Sequence, residues 1–301
     1  MNTPSSSFRC GYAAIVGRPN VGKSTLMNYL VGQKISITSK KPQTTRHRIL
    51  GVKTREDAQI LYVDTPGVHK ANKKAMNRLL NRTAIGALSD VDVVVFVVEA
   101  GMWKEEDIIV LENIKKASVP IILVINKVDK LADKSALLPF IQKITALAEM
   151  TETIPVSALK GDNLVQLEEL VASFLPESPP IYGEDELTDK SMRFLAAEIV
   201  REKLMRTLER ELPYSVAVEI EEYKTLPHIT NISACIWVER ASQKGIVIGK
   251  QGQTLKLIGT QARHDLEKLI EGKVNLKLWV KVKEGWSENE RILKSLGLDE
   301  K

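Results

Sequence analysis

Residues 17–25, GRPNVGKST, follow the apolar run YAAIV and open a helical pattern. They match G-x-x-x-x-G-K-[ST], a spacing in which glycines let the backbone turn tightly and aim its N–H groups at phosphate oxygens. A strand before the loop and a helix after it require a sheet that presents its ligand at a strand end. The chemistry assigns roles within the loop. Backbone N–H groups of Asn20, Val21, Gly22, Lys23 and Ser24 cradle a β-phosphate. The Lys23 ammonium reaches the β- and γ-phosphates, and the Ser24 hydroxyl ligates Mg²⁺. Gly17, Arg18, Pro19 and Thr25 complete the nucleotide-binding stretch.

The first half repeats the strand-then-helix rhythm. From residue 12 to about 175, the apolar runs QILYVDTPG, VDVVVFVV, VPIILVINKVD and TIPVSA alternate with helical patterns near 22–31, 72–87, 105–117, 134–149 and 163–174. Runs apolar on both faces belong in a parallel sheet covered by helices. DTPG, made of Asp64, Thr65, Pro66 and Gly67, ends one such run, where a carboxylate can hold a metal-bound water and the Gly67 N–H can face a γ-phosphate. NKVD, made of Asn126, Lys127, Val128 and Asp129, ends another. An aspartate there accepts from N1–H and the 2-amino group of guanine, a donor edge that adenine lacks, which selects GTP over ATP. Taken alone, NKVD reads equally well as a turn closing a strand. VSALKG, at Val156–Gly161, resembles the S-A-x-x-G loop that packs Ser157, Ala158 and Leu159 beside the base.

Composition limits what the rest of the chain can be. With 301 residues, 44% of them apolar, two sizeable cores are expected. No apolar stretch approaches the roughly 20 residues needed to span a bilayer, and the N-terminus has no apolar signal region. Cys10 and Cys235 lie in different halves without metal-ligand spacing, so two reduced thiols in a cytoplasmic setting are expected. The Pro- and acid-rich FLPESPPIYGEDELTD marks a linker. The boundaries read as a GTPase domain over 1–175, a linker over 176–190 and a second domain with a C-terminal tail over 191–301. In that second half a helix is expected from about Asp189 to Glu211, followed by the alternating runs YSVAVEIEEY, NISACIWVER and KVNLKLWVKVK, an α+β pattern whose sheet is apolar on one side.

A second glycine loop lies there, GIVIGKQGQT at residues 245–254. Residues 240–283 carry 10 Lys/Arg against 3 Asp/Glu, while residues 181–301 as a whole carry 20 of each. Positive charge is thus concentrated around this loop, as a polyanion site requires. A lone G-x-x-G is more often a helix-capping turn, and a lysine-rich stretch is often a solvated face.

Together these motifs carry a resemblance. The first 175 residues resemble a translation-factor-type small GTPase, and QTTRHR, from Gln43 to Arg48, resembles the Era/TrmE-type branch. A GTPase followed by a domain containing VIGKQGQTLKLIG and LWVKVKEGW is similar to the Era family over essentially the whole chain. That resemblance implies an α/β P-loop GTPase domain with a mostly parallel sheet and a smaller α+β KH domain of type II. It implies a monomer with GTP/GDP and Mg²⁺ as cofactors, binding 16S ribosomal RNA and assisting assembly of the 30S ribosomal subunit. In a KH domain the G-x-x-G loop is a tight turn between two helices that clamps the backbone of a short single strand. Gly249, Lys250, Gln251 and Gly252 fit it, with Lys256, Arg263, Lys281, Lys283 and Trp286 as further RNA-binding candidates. Thr45 is the expected switch threonine closing on Mg²⁺ beside Ser24 and Asp64, with Thr44 as the alternative, and Lys23, Thr45, Asp64 and Gly67 are the expected catalytic set.

One position departs from the Ras pattern. Where Ras-type enzymes carry a glutamine that orients the attacking water, this chain has Val68, followed by His69. The resemblance implies slow intrinsic hydrolysis, and in some relatives the position of Asn20 coordinates K⁺ beside the phosphates. Two classes stay open: a GTPase switch whose γ-phosphate orders residues 34–48 and the loop after Asp64, and an RNA-binding protein that senses GTP against GDP while hydrolysis matters little. A membrane-bound GTPase has in its favour only the basic stretch and the helix at Ser191–Leu208, so contact with the inner face of the cell membrane would be peripheral.

Overall fold

In the computed structural model the described residues are 8–41, 44–67, 83, 86, 88, 90–209 and 212–286. They divide into two compact units. One gathers residues 8–36, 45–67 and 83–189; the other gathers residues 37–41, Thr44, 190–209 and 212–286.

The apolar runs of the first unit form a six-stranded sheet in the order β2-β3-β1-β4-β5-β6. β1 (Arg9–Val16), β3 (Ala58–Asp64), β4 (Val93–Glu99), β5 (Ile121–Asn126) and β6 (Glu152–Pro155) pair in parallel. All of β3 and β5 is buried, as strands covered on both faces should be. β2 (Ile49–Thr54) pairs antiparallel with β3 and is a strand the sequence reading does not contain. Gly51 interrupts its apolar run, and glycine is needed there because a Cβ would come within 2.7 Å of the Met27 and Val31 side chains.

The helices of this unit are α1 (Lys23–Val31), α2 (Glu105–Ile114), α3 (Leu137–Thr145) and α4 (Leu164–Ser173). The helix expected over 134–149 begins as a 3-10 turn at Lys134–Ala136, capped by Asp133, which accepts from the Ser135 N–H. The helix expected over 72–87 lies outside the described residues apart from 83 and 86. Sheet order reverses between β1 and β4, which opens a crevice at their carboxyl ends. The first glycine loop leaves β1 there.

Of residues 176–190, read as linker, 176–189 belong to this first unit and run against the same sheet. The Cys10 N–H donates to the Pro176 carbonyl at 3.1 Å and the Val52 N–H to the Leu187 carbonyl at 2.9 Å. The Gln59 carboxamide oxygen accepts from the N–H groups of Ile181 and Tyr182.

The second unit contains α5 (Met192–Thr207), β7 (Val216–Leu226), β8 (Ile229–Val238), α6 (Ala241–Ile248), α7 (Gln253–Ile270) and β9 (Val274–Val282). Its sheet runs β7-β8-β9, with β7 antiparallel and β9 parallel to the central strand. A parallel neighbour needs a crossover, and α6 with α7 supplies it. One face of the sheet packs with α5, α6 and α7 around Ile199, Leu204, Ile232, Ile236, Val247, Ile258 and Leu266. The Ser191 hydroxyl accepts from the Phe194 N–H and starts α5. Within this unit, Glu202 accepts from the Thr38 N–H at 2.9 Å, and Arg201 donates to the Thr44 carbonyl.

Candidate nucleotide and RNA sites

Burial makes the first glycine loop a fixed object. Asn20 has a φ of 65° and Gly22 a φ of 107°, and a Cβ at Gly22 would collide with the Asn126 side chain. Lys23 is buried, and its Nζ donates to the carbonyls of Gly17 at 3.0 Å and Arg18 at 3.1 Å. Burial pulls its pKa down to about 8, against the attraction of Asp64.

Three oxygen-bearing side chains meet beside that lysine. The Ser24 hydroxyl lies 2.7 Å from Asp64 Oδ2 and 2.9 Å from the Thr45 hydroxyl. The Ser36 hydroxyl also donates to Asp64 Oδ2, at 2.9 Å. Asp64 is fully buried, which raises its pKa; Lys23 and the two serine hydroxyls act against that shift. Its Oδ1 has no hydrogen-bond partner among the described residues. An orphaned buried carboxylate oxygen next to two hydroxyls is the hard-oxygen set that Mg²⁺ takes. Thr44 is not part of it, since its hydroxyl donates to the Lys41 carbonyl at 2.6 Å and bonds Ser39. The Thr65 hydroxyl donates to the Ile15 carbonyl and ties the DTPG loop to β1. Gly67 comes so close to Pro19 that a Cβ would lie 2.8 Å from it. Val68 and His69 lie outside the described residues.

The base loops are wired to the phosphate loop. Asn126, 1% exposed, donates from Nδ2 to the Val21 carbonyl at 2.8 Å and accepts at Oδ1 from the Ala158 and Lys127 N–H groups. The Lys127 ammonium donates to the Asn20 carbonyl. The Ser157 hydroxyl donates to Asp129 Oδ1 at 2.6 Å, so the SALKG loop holds the aspartate that is to meet guanine. Val128 opens a 3-10 turn, and Leu159 is exposed. The geometry therefore brings together the phosphate, metal and base groups read from sequence. It adds three that sequence reading missed: Ser36, Glu99 and Asp107. Glu99 ends an apolar strand and Asp107 lies in the first turn of a helix, while Ser36 lies in a loop and carries no signal of its own.

The second loop is built differently. α6 ends at Ile248, Gly249 and Gly252 have φ of 74° and 78°, Gln251 has a φ of 51°, and α7 starts at Gln253. Beside it lies a groove of about 400 Å³ lined by Gly252, Leu255, Lys256, Gly259, Thr260, Arg263, Leu276 and Leu278. Lys256 and Arg263 thus share the groove with the loop. Lys281 and Lys283 do not. Alternation along β9 turns them to the opposite face from Leu276 and Leu278. There Lys281 pairs with Glu221 at 2.7 Å, and both lysines lie over the Trp237 ring. Trp286 is fully buried, so its indole offers no face to RNA. These three candidates are corrected accordingly.

Comparison with known proteins gives the same two-part division. Residues 12–127 match the family described as 50S ribosome-binding GTPase, and residues 211–287 match the KH domain. The chain is 55% identical to GTPase Era of Pseudomonas putida over 98% of each chain. It is 56% identical to GTPase Era of Coxiella burnetii over 97% of this chain and 98% of that one. A crystal structure of a variant of Aquifex aeolicus Era bound to GDP·AlF4⁻ has a TM-score of 0.94 and 43% identity, covering 97% of this chain and 100% of that one. A crystal structure of Era in complex with MgGDPNP and nucleotides 1506–1542 of 16S ribosomal RNA matches with the same values. No described helix is long and apolar enough to cross a membrane. With two wired nucleotide loops, a hard-oxygen metal set and a helix-turn-helix glycine loop in one chain, and this likeness along its whole length, the chain belongs to the GTPase Era family.

Proposed function

We propose that the chain hydrolyses GTP to GDP and phosphate as a switch, binds 16S ribosomal RNA through its KH domain, and assists assembly of the 30S subunit in the cytoplasm. The observation that carries the reading is the meeting of Ser24, Thr45 and Asp64 beside the buried Lys23. Ser24, Thr45 and Asp64 would hold Mg²⁺ with their oxygens. The ion neutralises charge on the β- and γ-phosphates when bound. Lys23 meets the same phosphates, and the Gly67 N–H faces the γ-phosphate. Asp129, oriented by Ser157, accepts from the guanine edge. Gly249–Gly252 take the RNA backbone, while Lys256 and Arg263 line the groove for its bases.

Valine at position 68 supplies no group to orient water. We assign the missing positive charge to K⁺ held at Asn20, so hydrolysis is expected to run faster in KCl than in NaCl at equal ionic strength. Asn20→Ala should erase that difference with little loss of GDP binding. Single-turnover hydrolysis with and without 30S subunits tests the switch itself. Acceleration on the subunit supports it; an equal rate with and without subunits leaves an RNA-binding protein that senses GTP against GDP. Peripheral contact with the inner face of the cell membrane would draw on the basic stretch, and vesicle co-sedimentation tests it.

A further inference from the structure

Arg18 is the second residue of the phosphate loop; its Nη1 donates to the loop's own Pro19 carbonyl at 3.3 Å, and the rest of its guanidinium points away from the loop. Its carbonyl accepts from Lys23, while its guanidinium is 5% exposed and forks between two carboxylates. Nε lies 3.1 Å from Asp107 Oδ2 and Nη2 lies 3.1 Å from Glu99 Oε2. Asp107 is fully buried and also caps α2, its Oδ2 accepting from the Lys104 N–H at 2.9 Å. Glu99, the last residue of β4, holds the Lys127 ammonium at 2.9 Å and the Lys130 ammonium at 3.5 Å. Burial works against the Glu99 carboxylate, but Lys127 and Arg18 outweigh it and hold its pKa below the ordinary range. Lys127 then reaches back to the Asn20 carbonyl. The circuit closes: Arg18, Glu99, Lys127, Asn20 and back through Pro19.

Burying ion pairs costs desolvation that the pairing barely repays, and an apolar residue of similar volume would pack as well. Arg18 is therefore poorly explained as a source of stability. What the circuit fixes is a span. GTP touches the phosphate loop at one end and NKVD at the other, and a ligand that bridges two loops binds best when their separation is set in advance.

We propose that Arg18, Glu99 and Asp107 are positioning residues that set the span between the phosphate loop and the guanine loop, with Glu99 as the shared pivot. Their side chains bond to one another and to Lys127, Lys130, the Pro19 carbonyl and the Lys104 N–H. The inference rests on the GTPase reading above, and GDP binding by the parent chain in the same titration reports on that reading separately.

The test compares a ligand that bridges both loops with one that fills a single loop. Glu99→Gln keeps shape and loses charge. It should weaken GDP and raise KM for GTP by about tenfold or more, with kcat at saturation nearly unchanged, the pattern of lost uniform binding. Competition by inorganic triphosphate with Mg²⁺, which occupies the phosphate loop alone, should change by less than about twofold. Arg18→Met and Lys127→Met should be non-additive for GDP, and their coupling should vanish in the Glu99→Gln background. Arg18→Lys, which keeps the charge without the fork, should fall between parent and Glu99→Gln and serves if the latter fails to fold. Unchanged GDP affinity in a folded variant overturns the proposal. So does equal weakening of GDP and triphosphate, which would mean that the phosphate loop is merely deformed.

Discussion

The two glycine loops differ in how tightly the protein packs around them. The loop at 17–25 is enclosed: a Cβ at Gly22 would meet Asn126, Lys23 is buried, and side chains from β4, β5 and α2 grip its flanks. The loop at 249–252 is open at its second glycine: a Cβ at Gly252 would have nothing within 4 Å, and the groove beside it is lined by Gly252, α7 and β9. A nucleotide is one shape, so a rigid cradle suits it. An RNA strand has a repeating backbone and splayed bases, so a turn that leaves space suits it better. Glycine makes room for protein at Gly22 and again at Gly249, where a Cβ would collide with the Thr254 hydroxyl, whereas at Gly252 it leaves space for ligand.

The largest break in that contrast is expected at Gly22. Gly22→Ala places a Cβ against Asn126 at a left-handed φ and should weaken GDP by about 100-fold or more while RNA binding persists; calorimetry for GDP and anisotropy for RNA read both. Asp129→Asn comes next. Replacing an acceptor by a partial donor should cost GTP about 1–3 kcal/mol and favour xanthosine triphosphate, measured by competitive titration. Gly252→Asp reverses the direction: GDP affinity should hold, while RNA binding falls by about tenfold because a carboxylate occupies open space that the phosphate needs. Chelating Mg²⁺ should stop hydrolysis and leave RNA binding in place, since the oxygen set that would hold the metal lies at the first loop. The smallest effect separates the two faces of β9. Lys250→Ala should lower the salt slope of RNA binding by about 0.7, one phosphate contact on a single strand, whereas Lys281→Ala should leave it unchanged.

Motifs read along the chain located the phosphate, metal and base groups because each is a short run at the end of an apolar strand. Thr45, with Thr44 as the alternative, came instead from the resemblance carried by QTTRHR, since no apolar strand ends there. What escaped was long-range or two-sided. Arg18 and Asp107 are 89 positions apart, and nothing local marks them as partners. β2 is a strand through its pairing with β3 rather than its own pattern, since Gly51 breaks the run. Counting lysines over 240–283 located a basic region but not its faces, so Lys281 and Lys283 were named as RNA-binding candidates although they do not line the groove beside the loop. Trp286 read as an RNA-binding candidate, and nothing in its local sequence marks it as fully buried.

The stretch at 176–189 bears on where this protein can be cut. β2 is the outermost strand of its sheet, and an uncovered strand edge offers unpaired N–H and C=O groups to any other chain. Leu187 and Thr188 occupy that edge, through the Val52 N–H and the Leu50 carbonyl. A fragment ending at 175 would bare it and so invite self-association at high concentration, whereas one ending at 189 would carry its own cover.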